Sequence, residues 1–185
     1  RVLFRSRETT TVPLIVSLPF RIEGGIRVQQ RTRNIDIWPT IFDMLSLPSP
    51  DYETDGRSQL PAILAAGRGE PDSSDTTTGI AHLDKTWGKR DRPPQPTVSV
   101  TDGPYRFVYT QGPKASLSRN ELFDARSDPE EFADTGSAQP ETLSRLKQIA
   151  EAYLEAEPPW SDRPTALELD EVQLNQLRAL GYSVP

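Results

Sequence analysis

Apolar residues in this chain come in short runs separated by turn chemistry, and the spacing inside each run predicts an element. Pro13 to Leu18 is a continuous, partly β-branched run closed by Pro19, which predicts a strand buried on both faces. Ile26 to Ile37 alternates loosely and ends at Asp36, which stands where a helix N-cap belongs, with Pro39 in the first turn where its missing N–H costs nothing. That helix would turn Ile37, Ile41, Met44 and Leu45 inward. SLPSPDYETDGRS, residues 46 to 58, is turn chemistry, with Gly56 relieving a tight turn sterically, and LPAILAAG behind it reads as a short helix ending at Gly67.

GRGEPDSSDTTTG, residues 67 to 79, is the most polar and least periodic stretch, and the domain boundary is placed there. Residues 7–70 then form the end of one domain, 71–80 a linker, and 81–185 a C-terminal subdomain. In that subdomain Thr97 to Val100, Arg106 to Thr110 and Glu121 to Phe123 read as three strands. The turns TDGP and RSDPEE between and after them predict a small antiparallel sheet. Leu143, Leu146, Ala150 and Tyr153 give a helical stripe after Pro140, and Leu174, Leu177 and Leu180 give another after Asp170. Asp170 and Gln173 are spaced as a capping box, and Gly181 sits where a left-handed C-terminal cap belongs.

Composition narrows the classes of function. The net charge of -6 comes with scattered basic residues, so no cationic stripe is present for nucleic acid. The chain has no cysteine, which removes disulfides, thiolate metal sites and Cys nucleophiles together. The longest apolar run, Val12 to Val16 with Leu18 behind it, falls far short of the roughly 20 residues that span a bilayer. The chain opens on arginine and its only methionine is Met44, so an upstream portion is expected. RVLFRS, residues 1–6, resembles the in-frame translation of a sequencing-adapter oligonucleotide and is expected to be a scar outside the fold.

Three stretches then point the same way: ETTTVPLIVSLP, NIDIWPTIFDMLSLPSPDYETDGRSQLPAI and NELFDARSDPEEFAD. Their order and spacing resemble the C-terminal landmarks of the sulfatases, in the alkaline phosphatase superfamily: a V-P-L-I-V strand, a D-x-x-P-T-x-x-D helix with a D-G-x-S loop, and an E-L-Y/F-D-x-x-x-D-P-x-E sheet end. The closing ELDEVQLNQLRALGY looks like the tail of many bacterial members. The chain departs from the pattern at Thr11, where arginine is common, and at FAD, residues 132 to 134, where an Asn-Leu pair often stands. The resemblance implies an α/β fold for the whole protein and α+β for this portion: the end of a catalytic α/β domain, then a small antiparallel sheet with C-terminal helices.

The resemblance also implies sulfate ester hydrolysis by a formylglycine made from Cys or Ser in Cys/Ser-x-Pro-x-Arg, its hydrate attacking sulfur beside a calcium ion. Those groups lie upstream of V-P-L-I-V in the family. No catalytic, cofactor-binding or metal-binding residue is therefore assigned here, and calcium is expected to bind outside this chain. SLPFR satisfies Ser-x-Pro-x-Arg by its letters, yet Ser17 directly follows V-P-L-I-V and Phe20 stands where a small residue is usual, so it reads as a strand exit. DYETDG resembles the opening of a calcium loop, but Ala62 occupies the twelfth position where a bidentate Glu is needed.

His82, Lys85 and Trp87 remain as a candidate substrate rim, in a loop where Lys89, Arg90 and Arg92 add positive charge that could attract a sulfated sugar. The competing reading is a basic loop whose aliphatic stems cover an apolar ring. The expected partners are the N-terminal catalytic domain of the same protein and a small-molecule or carbohydrate sulfate ester, with a periplasmic or secreted setting implied by the family. A phosphodiesterase or phosphonate hydrolase of the same superfamily, or a non-catalytic binding module, are the alternatives. Without its covering elements, Pro13 to Leu18 would expose an apolar strand and an unpaired edge.

Overall fold

The computed structural model describes residues 7–17, 24–48, 54–70, 77–84, 86, 92–156, 170–179 and 181. They divide into a unit over Arg1–Leu154 and a second over Glu155–Pro185. The fold is α+β.

The first unit is built on a four-stranded antiparallel meander, β1 (Gly79–Asp84), β2 (Pro96–Asp102), β3 (Tyr105–Thr110) and β4 (Arg119–Asp124), in that spatial order. β2 and β3 are joined at Gly103-Pro104, with Asp102 opposite Tyr105, and Gly103 takes φ 53°, a conformation open to glycine without steric cost. The register sets Val100, Phe107 and Leu122 side by side on one face. Helix α4 (Pro140–Glu155) supplies Leu146 and Ala150 to the same cluster, with Val98 completing it, and all six are at most 1% exposed. Val108 lies buried on the opposite face with Thr97, Ser99, Arg106 and Thr110, so the sheet is covered on both sides.

The three strands expected from sequence are present. β1 is an addition: GIAHLD reads as loop, yet it pairs along its length with β2. As an edge strand it is half-exposed, and its burial follows neither a period of two nor a continuous apolar run.

Ahead of the sheet lie α1 (Arg7–Thr10), a 3-10 turn (Asn34–Asp36), α2 (Ile37–Met44) and α3 (Leu60–Gly67). The strand expected at Pro13 to Leu18 does not form over the described residues: 11–17 have no regular structure, and Leu18 lies outside them. Val12, Leu14, Ile15 and Val16 are 51–87% exposed. A strand needs neighbours for its backbone groups, and none of the four strands pairs with this run.

The inward face of α2 also differs from expectation. Thr40 is its buried position, next to the buried Asp36 of the 3-10 turn, while Ile37, Ile41 and Met44 are half-buried and Leu45 is exposed. Trp38 is exposed too, lying beside Phe42 with ring centroids 6.2 Å apart.

In the second unit, α5 (Glu171–Ala179) carries the caps read from sequence. Asp170 N donates to Gln173 Oε1 at 3.1 Å and Gln173 N to Asp170 Oδ1 at 2.8 Å, while Gly181 takes φ 87°. Leu174 and Leu177 are half-buried, and Leu180 lies outside the described residues. Among the described residues, no helix is long and apolar enough to cross a membrane.

Candidate functional site

A densely bonded polar cluster is centred on Asp36, which is fully buried. Asp36, Thr40 and Asp43 recur at i, i+4 and i+7, so D-x-x-P-T-x-x-D places its three polar residues on one helical face. Asp36 Oδ1 accepts from Arg33 Nη2 at 2.8 Å and Arg57 N at 3.0 Å; Oδ2 accepts from Arg33 N at 2.8 Å and from Arg33 Nε and Gln59 Nε2, both at 3.3 Å. Thr40 Oγ1 donates to Asp36 O at 2.6 Å and accepts from Gln59 N at 2.9 Å. Ser58 Oγ donates to Asp43 Oδ2 at 2.6 Å and accepts from Leu60 N at 3.1 Å, which fixes the start of α3.

Asp36 is therefore not the side-chain N-cap of α2 that its position suggests. Its backbone is helical and its carboxylate turns back to the 3-10 turn and across to residues 57–59. Those hydrogen bonds explain the orientation of α2, since the polar face is held against the D-G-R-S loop.

Gly56 is required by approach rather than by conformation. A Cβ there would lie 1.9 Å from the Ile35 carbonyl oxygen and 2.6 Å from its carbon, both backbone atoms. Gly56→Ala is expected to push the loop off the 3-10 turn and cost about 2–3 kcal/mol in urea unfolding. A loss below about 0.5 kcal/mol would mean that the approach is not maintained.

Burial alone would raise the Asp36 carboxyl pKa. The hydrogen bonds from the Arg33 side chain, Arg33 N and Arg57 N, with the Arg33 charge, outweigh it and hold the group below the ordinary value. A pKa lower in the folded than in the unfolded chain adds stability that is complete above the unfolded value of about 3.9 and is lost as pH falls through the folded value. Thermal unfolding should therefore show this contribution unchanged between pH 7 and 5 and falling below about pH 4, with a shallower fall in Asp36→Asn. Parallel profiles for the two proteins would refute the assignment.

Of the candidate rim, His82 is described. It lies on β1 rather than in a loop and is exposed, its Nδ1 3.3 Å from Tyr153 Oη of α4 and the two rings edge to face at 5.6 Å. Lys85, Trp87, Lys89 and Arg90 lie outside the described residues, as do Pro19, Phe20 and Arg21 of SLPFR; Ser17 is exposed. A residue that the motifs did not single out, Asp84, ties Thr86 to Gln95. Its Oδ1 accepts from Thr86 N at 2.9 Å, Thr86 Oγ1 at 2.8 Å and Gln95 N at 2.9 Å, and these bonds, led by those from the two backbone amides, lower its pKa. The signal was an Asp two residues before a Thr, the spacing of an Asx turn.

E-L-F-D-A-R-S-D-P-E-E is equally structural. Arg126 pairs with Asp124 through Nε at 3.0 Å and Nη2 at 2.8 Å and lies over the Tyr105 ring. Asp134, in the FAD departure, accepts from Leu122 N at 2.9 Å and Gly136 N at 2.8 Å. Glu131 accepts from Arg106 Nη1 at 2.6 Å with both side chains buried. Arg31 bridges Thr77 O and Gly103 O, and Arg57 Nη2 donates to Thr77 Oγ1, tying the first helices to the sheet. Among the described residues, no three His, Asp or Glu side chains gather as a metal set.

What the described residues define is thus a small α+β unit with a hydrogen-bonded structural centre. No protein-family model matches the chain, and no curated protein matches it. Among solved structures it is similar to one from work on glycosaminoglycan metabolism by Bacteroides thetaiotaomicron (BT33336S-sulf), at 15% identity and TM-score 0.42 over 64% of this chain and 24% of that one. It is also similar to BT4656, solved in complex with its substrate D-glucosamine-2-N,6-O-disulfate, at 15% identity and TM-score 0.45 over 69% and 25%. A third is the phosphonate monoester hydrolase of Agrobacterium radiobacter, at 21% identity and TM-score 0.42 over 64% and 23%. The chain spans about a quarter of the length of each.

Proposed function

We propose that this chain is the C-terminal portion of a sulfatase-type hydrolase, whose reaction is carried by formylglycine and calcium held in a portion upstream. The observation that carries this reading is the way the motif letters are used. Asp36, Thr40 and Asp43 of D-x-x-P-T-x-x-D bond residues 57–59 of D-G-R-S and the residue after it, with Gly56 at a backbone approach that excludes any other side chain. A chance match of letters would not be expected to give one connected network.

In this role the chain completes the large domain's sheet and walls one side of its cleft. The exposed Val12, Leu14, Ile15, Val16 and Trp38 are the surface that the rest of the protein covers. His82, with the basic residues that lie between β1 and β2 in the sequence, would then favour an anionic sugar at the substrate rim.

The purified 185 residues should release no sulfate from 4-nitrophenyl sulfate, and measurable turnover would overturn the assignment of chemistry to an upstream portion. The coding sequence upstream should contain Cys/Ser-x-Pro-x-Arg. A threonine nucleophile there would favour the phosphodiesterase reading, and an unrelated short leader would favour a binding module.

A further inference from the structure

The two edges of the sheet are finished differently. In an antiparallel ladder, successive residues aim their backbone N–H and C=O groups alternately at the two flanking sides. The two-residue hairpin at Gly103-Pro104 makes Asp102 and Tyr105 a hydrogen-bonded pair, and at the other end of the same ladder Gln111 N donates to Pro96 O at 2.9 Å. Pro96, Val98, Val100 and Asp102 therefore face β3, while Thr97, Ser99 and Thr101 face β1. Their partners Leu83, Ala81 and Gly79 spend their backbone groups inside the sheet, which leaves Ile80, His82 and Asp84 aiming theirs outward. By the same alternation Leu122 aims outward from β4, and that edge is closed: Leu122 N donates to Asp134 Oδ1 at 2.9 Å, and Leu122 O accepts from Thr135 N at 2.8 Å.

Among the described residues, none bonds the outward backbone groups of Ile80, His82 or Asp84. β1 pairs with β2 over all 6 of its residues without a bulge, and GIAHLD contains neither lysine nor proline. Bulges, lysines and prolines are the usual guards of a sheet edge, so a straight, unguarded edge is a place for a further strand. Ile80 and Leu83, 41% and 39% exposed, put apolar surface at this edge on both faces of the sheet. A second copy of β1 fits it. A two-fold axis at His82 sets that residue opposite its own counterpart and Ile80 opposite Asp84 of the partner subunit, so every outward donor meets an outward acceptor. It also places each Asp84 diagonal to a His82 across the pair, an acid beside a base. The run at residues 12–16 is a poorer occupant, because Pro13 has no N–H to give to a ladder.

We propose that β1 is a self-association edge: two copies of this chain pair antiparallel through residues 80–84 about a two-fold axis at His82, joining their sheets into one. The pairing goes beyond the proposed hydrolase reading and does not depend on it, since it uses only the backbone and side chains of β1.

Sedimentation equilibrium of the full chain tests it. The mass should rise from 20.7 kDa toward twice that value between about 1 and 300 μM, the range of a small interface. His82→Pro removes an outward donor without taking a bond from β2, and should stay at 20.7 kDa throughout. Ile80→Glu would face Asp84 of the partner subunit and should raise the dissociation constant about tenfold, whereas Ile80→Lys should lower it. Circular dichroism checks that each variant is folded; if His82→Pro is not, the opposite effects of Ile80→Glu and Ile80→Lys decide. A mass of 20.7 kDa at every concentration would overturn the proposal, as would growth past the dimer. A dimer on which Ile80→Glu and Ile80→Lys act alike would overturn it too, because its contact would then lie elsewhere, residues 12–16 included.

Discussion

Asp36→Ala should lower the unfolding free energy by about 3–5 kcal/mol, because it removes one partner of a buried, charged network and leaves the other side unpaired. The Arg33 guanidinium would lose both carboxylate oxygens, Arg57 N would lose its acceptor, and Gln59 Nε2 would lose its bond to Asp36 Oδ2. Against a typical domain stability of about 5–15 kcal/mol, that is enough to release the contact of α2 with residues 56–59. Urea unfolding followed by circular dichroism measures the loss. Asp36→Asn, which keeps the shape and one acceptor oxygen, should fall between wild type and alanine. A loss below about 1 kcal/mol for Asp36→Ala would show that the loop is held by something else.

Glu131→Ala is expected to cost a comparable amount, about 3–5 kcal/mol, since Arg106 would then be a buried cation with no carboxylate. Alanine keeps the left-handed backbone demand at this position, so the loss reports the side chain. Replacing the pair together, Arg106→Met with Glu131→Leu, should cost much less than the sum of the single changes, because no uncompensated charge remains. Additive losses in the double-mutant cycle would contradict a coupled pair.

These two sites differ in how far the sequence announced them. The letters of D-x-x-P-T-x-x-D and D-G-R-S mark Asp36 and Gly56 as structural, but the roles that local spacing suggests are a helix cap and a turn. Both residues instead make contacts across about twenty positions, and spacing along the chain carries no record of which loop returns to which helix. The inward face of α2 was misread for the same reason. Ile37, Ile41, Met44 and Leu45 have helical spacing, yet the face that is buried here is the one whose polar groups find partners.

β1 escaped notice because an edge strand needs neither alternation nor a continuous apolar run once a neighbour supplies its hydrogen bonds. Of the candidate rim, the residue types were legible, and the position of His82 beside Tyr153 was not, since 71 residues separate them.

What the sequence determined by itself is what depends on neighbours a few positions away: the capping box of Asp170 and Gln173, the left-handed Gly181, the Gly103 hairpin, the Leu143, Leu146 and Ala150 stripe of α4 without the exposed Tyr153, and β2, β3 and β4. Only the tertiary structure decided the binding of Asp36 to the 57–59 loop, the burial of Arg106 with Glu131, and the exposure of Val12 to Val16. Each of these depends on a distant backbone group or charge being present, or on a covering strand being absent, at the moment the chain packs.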